Sequence, residues 1–123
     1  MFPSGVWRGF WEQEGYGRQP MEAFELHFAA DGEVRGHGRD VVGRFTFHGT
    51  FDKSTGRTLL VKQYLGKHRV DYDGRPDGEG SILGMWTVRV QIGEQEWVNK
   101  GPFLMKPDVA NLGENEPISE YRK

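Results

Sequence analysis

Apolar and polar residues alternate along most of this chain. A period of two marks strands that turn one face to a core and the other to water. The alternation divides the chain into eight runs: Val6–Glu12, Met21–Ala29, Glu33–Arg39, Arg44–Phe51, Arg57–Tyr64, His68–Asp73, Ser81–Val90 and Trp97–Met105. Gly- and Asp-bearing turns join them. No window of helical length carries a 3.6-residue apolar period. The stretch from Pro107 to Lys123 breaks the pattern and reads as a polar C-terminal tail, leaving residues 1–106 as one barrel domain.

The second and third runs are the best specified. Phe24, Leu26 and Phe28 alternate with Glu25 and His27, and Ala30-Asp31-Gly32 follows. A three-residue loop ending in Gly suits a type I turn with a left-handed third residue. That register pairs Phe28 with Val34, Leu26 with Gly36 and Phe24 with Gly38, setting large side chains against small ones. A two-residue loop would set Leu26 against His37 and Phe24 against Arg39, burying charge at a cost. The fourth run puts Phe45, Phe47, Gly49 and Phe51 on one face. The seventh is apolar on both faces, with Ile82, Trp86, Val88 and Val90 on one and Leu83 and Met85 on the other. Leu83 and Met85 on an outer face predict contact with another subunit, a dimer being favoured.

Eight sequential strands with short connections predict an all-β fold, an eight-stranded antiparallel up-and-down β-barrel that closes and leaves no free edge. A two-sheet sandwich is the alternative. Composition agrees with short strands and tight turns: 18 Gly and 6 Pro in 123 residues, with 13% aromatics to fill a thin core. The net charge of −2 gives no nucleic-acid or membrane footprint. The chain lacks a run of 18 apolar residues and a signal-peptide pattern at its start, and a cytoplasmic location is the default expectation. With no Cys, disulfides, thiolate nucleophiles and thiolate metal sites are excluded.

The first run holds Gly5-Val6-Trp7 and Gly9-Phe10-Trp11, and Gly-x-Trp on a first strand resembles the lipocalin and avidin-like barrels. The segment Ala29-Ala30-Asp31-Gly32-Glu33-Val34-Arg35-Gly36 is similar to the second hairpin of streptavidin-type proteins. Further stretches, such as Lys62-Gln63-Tyr64-Leu65-Gly66-Lys67-His68 and Gly84-Met85-Trp86, are similar to small bacterial proteins of that shape. The resemblance covers residues 5–105 and implies an eight-stranded barrel with a ligand-sized mouth. It does not carry biotin binding with it. The biotin-binding proteins use Ser, Thr and Asn from several strands, whereas Ser4, Ser54, Ser81 and Ser119 fall at strand edges, turns or the tail.

Candidate chemistry concentrates between Lys62 and Tyr72. His68, Val70 and Tyr72 share one face, assigned inward, opposite Lys67, Arg69 and Asp71. The fifth run depends on its loop. A two-residue Leu65-Gly66 turn sends Leu59, Val61 and Gln63 inward. A three-residue loop, Leu65-Gly66-Lys67, sends Leu60, Lys62 and Tyr64 inward, gathering a Lys, a His and two Tyr that shift each other's pKa and orient a polar ligand. The plainer arrangement, a satisfied core His with Lys62 outside, is preferred. Asp40 either projects into the mouth to pair with Lys62 or Arg44, or stabilises the turn before Val41-Val42-Gly43; the turn role is preferred. Trp7, Trp11, Trp86 and Trp97 come from neighbouring strands and suggest an aromatic wall, with Trp7 better read as an end plug. His27, His37 and His48 fall on outer faces without metal-ligand spacing, so no metal is expected.

The favoured function is binding of a small, partly apolar molecule inside the barrel without a cofactor. Trp86 and Trp11 supply the apolar wall. His68 and Tyr72 supply polar anchors, with Lys62, Tyr64 and Asp40 as further candidates, and a protonated His68 would favour an anionic or carbonyl ligand. The runner-up is a cofactor-free isomerase or cyclase using a His/Tyr acid–base pair. A third possibility is a structural module that joins subunits through Leu83 and Met85. The glycines Gly36, Gly38, Gly49 and Gly84 are expected to leave room for the ligand.

Overall fold

A computed structural model of the chain describes residues 2–108. Eight strands follow one another as β1 (Gly5–Gln13), β2 (Gly17–Phe28), β3 (Glu33–Arg39), β4 (Arg44–Phe51), β5 (Thr58–Tyr64), β6 (Arg69–Pro76), β7 (Ile82–Ile92) and β8 (Gln95–Pro107). Each pairs antiparallel with the next, and β8 returns to β1, so the sheet closes into an up-and-down barrel. The predicted architecture is therefore the observed one. Residues 109–123, most of the expected tail, lie outside the described residues. Pro107 still belongs to β8, and Asp108 is buried, its N–H donating to Val6 O.

The β2–β3 hairpin has the register that the Ala30-Asp31-Gly32 loop predicts, with Phe28 opposite Val34, Leu26 opposite Gly36 and Phe24 opposite Gly38. Gly32 sits at φ 93°, where a Cβ would be strained, and Asp31 Oδ1 accepts the Glu33 N–H at 2.9 Å. Farther back, β2 carries a bulge. Trp7 faces Phe24 but Gly9 faces Met21, so two residues of β2 oppose one of β1. The bulge switches the inward set from Phe24, Leu26 and Phe28 to Met21, which is why simple alternation from Met21 onward does not describe the whole strand.

The two barrel ends differ. At one end the chain's own start forms a plug: Phe2 packs edge-on to Trp7 and tilted against Phe28, and Phe28 meets Phe51. Trp7, fully buried, donates its indole N–H to Pro3 O, and Ser4 Oγ accepts the Phe28 N–H. Trp7 is thus the end plug it was read to be. The waist is filled by Phe24, Phe47, Tyr72 and Phe103, the first pair tilted and the next two contacts edge-to-face. Aromatics in such contacts supply both area and shape to a core with few aliphatic residues. The other end, where the turns after β1, β3, β5 and β7 gather, carries the polar interior.

Candidate functional site

The polar interior begins with the loop after β5. Tyr64 N donates to His68 O and Lys67 N to Tyr64 O, which makes Leu65-Gly66-Lys67 the three-residue loop. Lys62 then pairs with Val70, and Leu60, Lys62 and Tyr64 point inward with Val70 and Tyr72. The preferred sequence reading, with Lys62 outside, is corrected here: Lys62 is 2% exposed. Leu65 keeps a negative φ while Gly66 stands at φ 71°, so the two-residue turn, which needs a positive φ at its first residue, does not form and the loop takes three residues.

Asp40 performs both roles considered for it. Its Oδ1 accepts the Val42 N–H at 2.9 Å and the Gly43 N–H at 3.4 Å, closing the β3–β4 turn. Its Oδ2 accepts from Lys62 Nζ at 2.8 Å and from the Tyr64 hydroxyl at 2.6 Å. One carboxylate thereby ties a surface loop to two side chains of the interior. Lys62 Nζ also lies over the rings of Phe45 and Tyr64, at 4.2 and 4.8 Å from their centroids, a cation–π arrangement.

Electrostatics follow from burial and pairing. Burial drives the Lys62 ammonium below its ordinary pKa, with Asp40 opposing. Burial alone would raise Asp40, but the hydrogen bonds from Lys62 and Tyr64 outweigh it and hold the carboxyl below the usual range. Burial, then the neighbouring Asp40 carboxylate, raises the Tyr64 phenol well above its usual value, and Tyr72 is raised the same way. Both phenols therefore stay protonated, and Tyr64 donates its proton to Asp40.

Above this network lies a cavity of about 170 Å³, lined by Trp11, Val42, Lys62, Tyr64, His68, Val70, Tyr72, Trp86 and Val88 among others. A second lobe of about 110 Å³ adjoins it across Trp11, Val42 and Tyr64 and reaches Asp40 and Gln19. Trp86 donates its indole N–H to Glu12 O at 3.0 Å and meets Trp11 edge-on at 5.7 Å. Six of the seven candidate residues, Trp11, Lys62, Tyr64, His68, Tyr72 and Trp86, line the larger lobe, and Asp40 lines the smaller. His68 does not enter the interior as expected. It is exposed at the rim with its ring 5.1 Å from that of Tyr64. Trp97 stands away from the wall, 57% exposed.

The glycines do not hollow the barrel. A Cβ on Gly36, Gly49 or Gly84 would fall about 2 Å from a backbone oxygen of the neighbouring strand, and one on Gly38 would strike Phe24 and Phe45. They allow close backbone approach and aromatic filling, so among the described residues the waist is packed and the interior cavity lies toward the mouth. A larger hollow of about 750 Å³ spreads over the outer faces of β2, β3 and β4, where His27, His37 and His48 lie. His37 pairs there with Glu25 at 2.7 Å. It is an open, solvated saddle rather than an enclosing site. Val70 and Val88 line the mouth with the inward parity read for their strands, whereas Val42 is a mouth residue that alternation did not single out. The Val41-Val42 pair inside an Asp-to-Gly turn was the available signal, since turns seldom spend two β-branched apolar residues without a surface to line. Comparison with family models, curated proteins and solved structures gave no match to this chain.

Proposed function

We propose that the protein binds a small, partly apolar molecule in the barrel mouth. The observation that carries this reading is the placement of the buried Lys62–Asp40–Tyr64 network at the floor of a cavity walled by Trp11 and Trp86. A cavity of about 150 Å³ holds a benzene-sized molecule, so the larger lobe, at about 170 Å³, suits a single-ring ligand. The ring would lie against the two indoles, with a carbonyl or carboxylate taking the donors of Tyr72, Lys62 and His68. Because Asp40 already answers the Lys62 charge, recognition would rest on hydrogen bonds more than on net charge. The fold and the first-strand Gly-x-Trp support kinship in architecture with lipocalin and avidin-like barrels, whose mouths hold ligands.

Acid–base catalysis by His68 and Tyr72 is less well supported. Burial makes Tyr72 a reluctant proton donor, and His68 packs on Tyr64 at the rim. The test is a panel of single-ring carboxylates, phenols and aldehydes followed by tryptophan fluorescence and thermal shift. Hits should bind wild type and lose about tenfold or more in affinity in Trp86→Phe and Lys62→Met, the loss of one good contact of about 1.4 kcal/mol. Equal binding to all three proteins would sink the reading.

A further inference from the structure

At its mouth end the closed barrel leaves open edges among the described residues: β2 before Phe24 has no β3 partner, β7 beyond Thr87 has no β6 partner, and the longest apolar stretch belongs to the β7–β8 hairpin. β8 pairs with β1 only from Phe103 to Pro107, whereas it pairs with β7 as far as Gln95. β6 reaches β7 no farther than Thr87. The ends of β7 and β8 therefore leave the barrel as a two-stranded arm, and from Gln95 to Lys100 β8 has no strand on its outer side among the described residues. Such a ribbon is marginal in water by itself, and its free N–H and C=O groups invite another strand.

The arm is also apolar on the face that continues the barrel interior. Val90, Ile92 and Trp97 lie there and are 39%, 61% and 57% exposed. The mouth-end turns add Tyr16, Val41 and Leu65, all exposed. The turns at the plugged end, Ala30-Asp31-Gly32, Lys53-Ser54-Thr55-Gly56 and Asp77-Gly78-Glu79-Gly80, carry no large apolar residue. The asymmetry singles out the mouth end as a face that is covered.

We infer that the occupant is a second copy of this chain, joined mouth to mouth by antiparallel pairing of the two β8 edges. The sequence of the edge is complementary to itself. A two-fold axis at Val98 sets Glu96 of each copy opposite Lys100 of the other, on the same face as Val98, and sets Trp97 opposite Asn99 on the apolar face. Opposite charges directly across an antiparallel pair stabilise it. The two Trp97 indoles then occupy diagonal positions, within reach of each other. The axis makes a four-stranded sheet of two marginal ribbons and turns the mouth-end apolar residues of one copy toward those of the other. This interface is distinct from the Leu83 and Met85 face, and it does not depend on a ligand.

The test is sedimentation velocity on the full chain from nanomolar to high micromolar concentration. Wild type should dimerise, with Trp97 emission shifting to the red on dilution. Glu96→Lys and Lys100→Glu each place like charges opposite one another twice per dimer. Each should weaken association about tenfold or more while keeping a cooperative thermal melt. Mixed in equal amounts, the two variants present Lys against Glu throughout and should form a heterodimer, a rescue that misfolding could not produce. A wild type that stays monomeric overturns the inference, as does a mixture that stays monomeric while wild type dimerises. Dimers lost in Leu83→Glu and kept in both charge variants would assign the interface to the outer face instead.

Discussion

Lys62 Nζ lies 2.8 Å from Asp40 Oδ2, with 3% of the lysine side chain and 16% of the aspartate side chain open to solvent. The pair joins a strand residue with a loop residue 22 positions earlier, and Tyr64 adds a second bond to the same oxygen. Removing either partner leaves a different remainder. Asp40→Ala strands an ammonium inside the barrel and also opens the β3–β4 turn; it should cost about 3–5 kcal/mol. Lys62→Met leaves a carboxylate that still accepts from Tyr64 and two backbone N–H groups, and should cost only about 1–3 kcal/mol. Urea midpoints of the two variants decide the order, and a costlier Lys62→Met would refute this account of the pair.

The same network shapes the pH profile. Asp40 has a folded pKa below its unfolded value near 3.9, so its stabilisation is complete above that value and is lost as pH falls through the folded pKa. The tyrosines act at the other end. With folded pKa values above the unfolded value of about 10, Tyr64 and Tyr72 keep their protons while the unfolded chain releases them, so stability falls as pH rises beyond about 10. Lys62, depressed by burial, works the opposite way: the folded state sheds its proton first, and stability rises with pH up to the unfolded value of about 10.4. Beyond that value only the two phenols still hold different proton numbers in the two states, so the alkaline limb falls. Stability measured by urea from pH 3 to 11 should therefore fall at both ends, roughly the range set by these reference values. Asp40→Asn should flatten the acid limb and Tyr64→Phe with Tyr72→Phe the alkaline one; limbs unchanged by these substitutions would place their origin elsewhere.

Most of the fold was legible because period-two alternation with punctuating turns has few solutions, and the Ala30-Asp31-Gly32 loop fixed one register outright. The site was less so. Whether Lys62 faced inward hung on one loop residue, and charge burial argued for the wrong side, since a lone lysine is costly inside. The compensating Asp40 sits in the turn after β3, two strands from Lys62; the sequence offers that pairing beside the turn role, but no local pattern ranks the two. The β2 bulge and the arm escaped for a similar reason. Alternation says where side chains point within a run, not where a strand gains a residue or outlasts its neighbour.

The close backbone approaches make a sharp expectation. A methyl on Gly49 would sit 1.8 Å from Leu59 O, and one on Gly84 2.0 Å from Asp73 O. Neither oxygen can swing aside, because both belong to the sheet. Gly49→Ala and Gly84→Ala should each cost about 3 kcal/mol, the upper part of the overpacking range. Gly66 meets nothing within 4 Å, and its φ of 71° is the sole obstacle, so Gly66→Ala should cost about 1–2 kcal/mol. Thermal melts rank the three, and a milder effect at Gly49 than at Gly66 would contradict the closeness of β4 and β5.

The two mouth tryptophans separate by what each holds. Trp86 is buried, donates to Glu12 O and lies over Gly101, so it fastens β7 to the end of β1 beyond their shared neighbour β8. Trp11 is half-buried and meets it edge-on. Trp86→Phe loses a hydrogen bond and leaves a carbonyl to find water, a cost of about 1–3 kcal/mol, together with part of the ring area. Trp11→Phe loses an edge contact of about 0.5–1.5 kcal/mol and little else. Trp86→Phe should therefore be the less stable variant without any ligand, and its remaining emission should shift to the red because the most buried mouth indole is gone. Since Trp86 also walls the proposed site, its binding defect is interpretable only beside Trp11→Phe. If Trp11→Phe weakens ligand binding while leaving the melt nearly unchanged, the indole pair contacts the ligand. If only Trp86→Phe weakens binding, and in proportion to its lost stability, the pair holds the mouth together and the ligand touches neither ring.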